Sequence, residues 1–100
     1  MATYTPDTMS LRQLIAIGTV GANILAAPTM PAQVFACRPG RAMMLDIVNQ
    51  SGGAITLTFD VIYKVVGYTD PANGKRKTAL FNYETSSEQW IQTGAWSPDL

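Results

Sequence analysis

The sequence predicts an all-β domain: a small antiparallel β-sandwich or jelly-roll-like barrel carrying an extended N-terminal arm. Three observations predict it. From Ile55 to Val65 apolar side chains alternate with others in the period-2 pattern of a half-buried strand. Short apolar, β-branched runs recur along the chain, each closed by Gly, Pro, Asn, Asp or Ser. No convincing helical run stands beside them. The one competing pattern, Leu11, Leu14, Ile15 and Ile17 on a helix face, is opposed by nearby glycines and β-branched residues.

The elements follow in order. Residues 1–13 read as an arm, because Thr, Pro and Asp outnumber apolar anchors and Pro6 keeps Thr5 from helical geometry. Residues 14–27 read as strand, with Ile15, Ile17, Thr19, Val20 and Ile24 supplying the β-branched content. Pro28 and Pro31 mark an irregular link, residues 33–37 a short strand, and Arg38-Pro39-Gly40 a turn. Next, Met43, Leu45 and Ile47 share one face of a strand, with Met44, Asp46 and Val48 on the other. Residues 49–53, Asn-Gln-Ser-Gly-Gly, tolerate positive φ and predict a hairpin turn.

In the second hairpin strand Ile55, Leu57, Phe59, Val61, Tyr63 and Val65 line one face without a miss. Burying the last five contributes on the order of 10 kcal/mol before entropy is counted. Ile62 and Val66 fall on the far face, which suggests that something else covers the strand's end. Residues 67–78 predict a loop, with Asp70-Pro71 and Asn73-Gly74 as turn pairs. Ala79, Phe81 and Tyr83 lie on a returning strand, residues 84–88 turn again, and residues 89–93 form a last short strand. The organisation is therefore an arm (1–13), a β domain (14–93) and a C-terminal tail (94–100).

Composition excludes more than it identifies. Apolar residues make up 47% of the chain and charged ones 14%, well under the usual share of about 25%. Such a surface suits a protein that works against other protein. Seven basic and seven acidic residues give zero net charge, so nothing draws the chain generally to nucleic acid or anionic membrane. Residues 14–27 are too short and too interrupted for a membrane helix, and the sequence ahead of them makes a poor signal peptide. A protein made in the cytoplasm, and used there or packed into something larger, is expected. There is no histidine and one cysteine, Cys37. That removes His-dependent nucleophilic catalysis and the common zinc and iron sites. Cys37 reads as a small buried apolar side chain. Asp46 and Asp60 can meet across the predicted hairpin as a glycosidase pair would, but the plainer reading is two solvated, outward carboxylates. No cofactor and no enzymatic activity are expected.

The candidate working residues are therefore contacts. Tyr4, Pro6, Met9 and Leu11 supply the arm with apolar groups. Lys75, Arg76 and Lys77 form a basic loop tip, without the spacing of a phosphate loop or the basic stripe of a nucleic-acid binder. Trp90 and Trp96 are candidate anchors, since aromatic residues concentrate in interface cores. Trp96 reads equally well as a tail residue folding back on its own domain.

Gly40-Arg41, then Leu45, Val48, Asn49, Ser51, Gly52, Ala54, Ile55, Thr56 and Thr58, make up an apolar strand, a Val-x-Asn with a Ser/Gly turn, and an alternating Thr strand. This stretch, about a fifth of the chain, resembles small decoration (cement) proteins of tailed-bacteriophage capsids and related small virion proteins. The resemblance implies a β body seated on a capsid lattice, often as a trimer, in contact with the major capsid protein or another virion protein. The basic-tipped loop and the aromatic C-terminal end are not part of that pattern. The expected function is a non-enzymatic structural protein that binds the outside of a phage shell and stabilises it in the virion. The alternatives are a tail, spike or fibre module, or a small inhibitor module acting through the basic loop.

Overall fold

The computed structural model describes residues 1–6, 12–28, 42–84 and 86–100. Among these residues lie eight strands: β1 (Ala2–Tyr4), β2 (Arg12–Ile17), β3 (Gly21–Leu25), β4 (Ala42–Asn49), β5 (Ile55–Phe59), β6 (Tyr63–Lys64), β7 (Arg76–Glu84) and β8 (Gln89–Gln92). They form a three-stranded sheet, β1-β3-β5, and a five-stranded sheet, β2-β4-β7-β8-β6. The fold is all-β, as the sequence predicts. The predicted strand at 33–37, Cys37 and the contact residues Met9 and Leu11 lie outside the described residues.

The pairing corrects the antiparallel expectation. Among the described pairings only β4–β7 and β7–β8 are antiparallel; β1–β3, β3–β5, β2–β4 and β6–β8 are parallel. The predicted hairpin of residues 43–65 does not form. After β4 the chain crosses to the other sheet, just as it does after β2. The two crossings stack, so β4 runs beside β2 from Arg12↔Met44 to Ile17↔Asn49, and β5 beside β3 from Gly21↔Ile55 to Leu25↔Phe59.

Asn49 explains why residues 50–54 cross rather than fold back. Fully buried, it donates through Nδ2 to the carbonyls of Gly53 (2.9 Å) and Pro71 (3.1 Å). Its Oδ1 accepts from the N–H (3.1 Å) and hydroxyl (2.7 Å) of Ser51. Gly52 takes φ +87° here, a conformation open to glycine at little cost. The N–H of Gln50 donates to Ile17 O and that of Gly21 to Ala54 O, which ties the two crossings together. Asn23 does the same work in the first crossing, donating to Thr19 O (2.8 Å) and Gly21 O (3.0 Å).

The predicted eleven-residue strand also breaks. Asp60 accepts the N–H of Ile62 on Oδ1 (3.0 Å) and that of Tyr63 on its carbonyl (3.0 Å), forming a turn. Ile55, Leu57 and Tyr63 are buried, and Phe59 and Val65 pack against the core, but Val61 sits on the turn and is 86% exposed.

Inward residues of both sheets meet in one apolar cluster. Ile15, Ile17, Met43, Leu45, Ile47, Phe81 and Trp90 come from the five-stranded sheet, and Leu25, Ile55 and Leu57 from the other.

The ends of the chain join this body. β1 pairs with β3, and Ala26 N–H donates to Tyr4 O. The tail runs beside β7: Ser97 N–H donates to Thr78 O, and Arg76 and Leu100 exchange backbone hydrogen bonds. β2 begins at Arg12, inside the predicted arm, and β7 begins at Arg76, inside the predicted loop. The Asn73-Gly74 turn is present, with Gly74 at φ +78°.

Candidate functional site

Most residues expected to make outside contacts are used inside the domain. The Tyr4 hydroxyl accepts from Gly18 N–H (3.1 Å), and Pro6 is buried. Trp90 is fully buried against Tyr83, so it anchors the core and no partner reaches it in this fold. Trp96 folds back, packing edge-on against Tyr68 (4.9 Å between ring centroids) and Phe81 (5.9 Å) and tilted against Phe59 (6.1 Å).

The basic tip is dispersed. Arg76 pairs with Asp46 at 3.0 Å. Lys77 bonds the Thr69 hydroxyl and lies 3.6 Å from the tail carboxylate of Asp99. Lys75 is exposed and has no ion pair among the described residues. Asp46 and Asp60 stand in different regions, the first on β4 and the second in the turn after β5, so they form no catalytic pair. No group of three or more potential metal ligands occurs among the described residues.

Burial raises the hydroxyl pKa of Tyr63, with the charge of Asp60 adding to it, and the hydroxyl donates to Ala26 O (2.9 Å). Tyr68 is raised by burial, then by Asp70, to which it donates (3.0 Å). The same Asp70 oxygen accepts Leu57 N–H (3.0 Å), so the loop covers part of the β5 edge. These tyrosines are structural. An open cleft of about 560 Å³ lies between Val66, Gly67 and the Gln92–Trp96 stretch. Its one amide side chain, Gln92, is already engaged with Val66 N–H (2.8 Å) and Gly94 O (2.7 Å).

The outer face of the five-stranded sheet is different. Strand alternation places Arg12, Leu14 and Ala16 of β2 there, with Ala42, Met44, Asp46 and Val48 of β4 and Arg76, Thr78, Leu80 and Asn82 of β7. Leu14 is 62% exposed, and Met44 and Leu80 38% each. Met44 and Leu80 are directly paired, and Leu14 is level with Asp46.

Asp46 is only 1% exposed although its side chain is on this outer face. Arg12, level with Met44, and Arg76, level with Val48, reach it diagonally from either side, the span long side chains cover across strands. Both contact Oδ2. Asp46 Oδ1 and the hydroxyl of its cross-strand neighbour Thr78 are buried with no hydrogen-bond partner among the described residues.

The expectation of a solvated Asp46 is corrected, since its carboxylate is buried between the two arginines. The sequence pattern sets Met44 and Asp46 on the strand face opposite Met43, Leu45 and Ile47 but does not join them to Arg12, Leu14 and Leu80. The available signal was a large apolar residue at an off-stripe position in three separate strands. No family model matches the chain, and no curated protein or solved structure matches it either.

Proposed function

We propose that this chain is a non-enzymatic structural protein that docks on other protein through the outer face of its five-stranded sheet. By its resemblance to decoration proteins, the other protein is the outer surface of a phage capsid shell. The observation that carries this reading is the cross-strand set Leu14, Met44 and Leu80, exposed on a regular sheet rather than on loops. Sheet faces left in water are ordinarily polar, and an exposed apolar group rimmed by polar residues marks an interaction surface. The low share of charged residues supports the same reading. Many equivalent copies on a lattice act together, so modest affinity at each contact suffices. Residence in the virion and assembly as a homo-oligomer, a trimer by the resemblance, belong to this proposal.

The experiment is to mix the purified chain with shells assembled without it, then measure co-sedimentation and heat resistance. Saturable binding with raised heat resistance is expected. Shells that bind none and melt unchanged overturn the proposal.

A further inference from the structure

We propose that the outer face receives an extended partner segment carrying one carboxylate between apolar side chains, and that this carboxylate seats on the Arg12–Asp46–Arg76 cluster. This inference rests on the docking reading above and names the chemistry of the partner.

The charge of the cluster is the first argument. Two guanidiniums share one carboxylate oxygen, so among the described residues the cluster carries one positive charge in excess, in the middle of a largely apolar face. Each guanidinium has five N–H donors in a fixed fork, and the contacts described spend few of them on Asp46. The arginine side chains are 60% and 44% exposed, so the remaining donors are open to an arriving group. Planar, two-pronged donor sets of this kind match a carboxylate.

The unspent hydrogen-bonding capacity is the second argument. Asp46 Oδ1 and the Oγ1 of its cross-strand neighbour Thr78 are buried without hydrogen-bond partners among the described residues, and such groups in folded proteins are ordinarily paired. Both arginines hold Asp46 by Oδ2, which leaves Oδ1 to accept a backbone N–H of the same segment as it docks. The neighbouring Leu14, Met44 and Leu80 receive its apolar side chains and exclude water, which strengthens the charged contact.

Charge complementarity also selects the occupant. A second copy laid on this face about a two-fold axis sets positive cluster against positive cluster, which is disfavoured. Nucleic acid requires a basic stripe, whereas this cluster holds a single excess charge among the described residues of a largely apolar face.

The test is a selection of random peptides of about nine residues, displayed on phage, against the intact chain. Enriched peptides are then synthesised in Glu and Gln versions and titrated against ¹⁵N-labelled protein. The expected result is an Asp or Glu flanked by apolar residues, with amide shifts at Leu14, Met44 and Leu80. The Gln version then binds about tenfold more weakly, the scale of a lost charge-assisted contact. That substitution leaves the protein untouched, so failure to fold cannot imitate the result. Peptides that map to this face but bind equally as Glu and Gln overturn the carboxylate inference and leave the docking reading standing. Peptides that map elsewhere, or no enrichment, overturn both. Concentration-dependent shifts of this face in the chain alone assign it to a second copy and overturn the inference.

Discussion

Two buried polar residues of β4, Asn49 and Asp46, lie three positions apart and do opposite things. Asn49 spends its side chain on four hydrogen bonds to Ser51, Gly53 and Pro71. Asp46 gives Oδ2 to two half-exposed arginines and leaves Oδ1 unpaired among the described residues. A satisfied buried polar group is a fastener, since its removal strands every partner. An unsatisfied one beside half-exposed cations holds capacity in reserve. Asn49 therefore belongs to the fold and Asp46 to the proposed docking face.

Substitutions grade this contrast. Asn49→Ala is expected to cost the most, about 3 kcal/mol, because it orphans buried backbone groups; a lower midpoint in urea unfolding checks it. Trp96→Ala follows at about 2 kcal/mol, below the fully buried range because the ring is half covered. A loss this size shows the tail to be part of the body, and an unchanged midpoint shows it to be free.

Alkaline pH probes the same packing. The folded-state pKa values of Tyr63 and Tyr68 are raised from an ordinary 10.0. Their contribution is fully present below pH 10 and is lost as pH rises beyond it, so the unfolding midpoint should fall from about pH 10 upward. Tyr63→Phe should soften that fall.

Asp46→Asn should cost about 1 kcal/mol, discounted because its arginine partners are half solvated. Leu80→Ser should stay within about 0.5 kcal/mol of the parent, as a surface change that touches no core contact. A large loss from Leu80→Ser makes the outer face structural and erases the contrast with Asn49.

The fold class was legible because alternation reports which face of a strand is buried. Ile55, Leu57 and Tyr63 point inward as their spacing requires. Alternation does not report which strand is the neighbour. A hairpin and a crossing between sheets bury the same side chains, so residues 49–53 read as a turn between partners although they join two sheets. The break at Asp60 was hidden by Val61, which keeps the period while sitting on a turn. The outer cluster was hidden for a related reason. Arg12, Asp46 and Arg76 come from three distant segments, and only the β2–β4–β7 register brings them together.

The most direct test compares two variants in the same shell co-sedimentation assay: Leu14→Ser with Leu80→Ser, and Lys75→Ser in the loop. Urea midpoints near the parent's confirm that both are folded. The outer-face pair is expected to lose shell binding and the loop variant to keep it. Retained binding by the outer-face pair, with loss in the loop variant, contradicts that expectation.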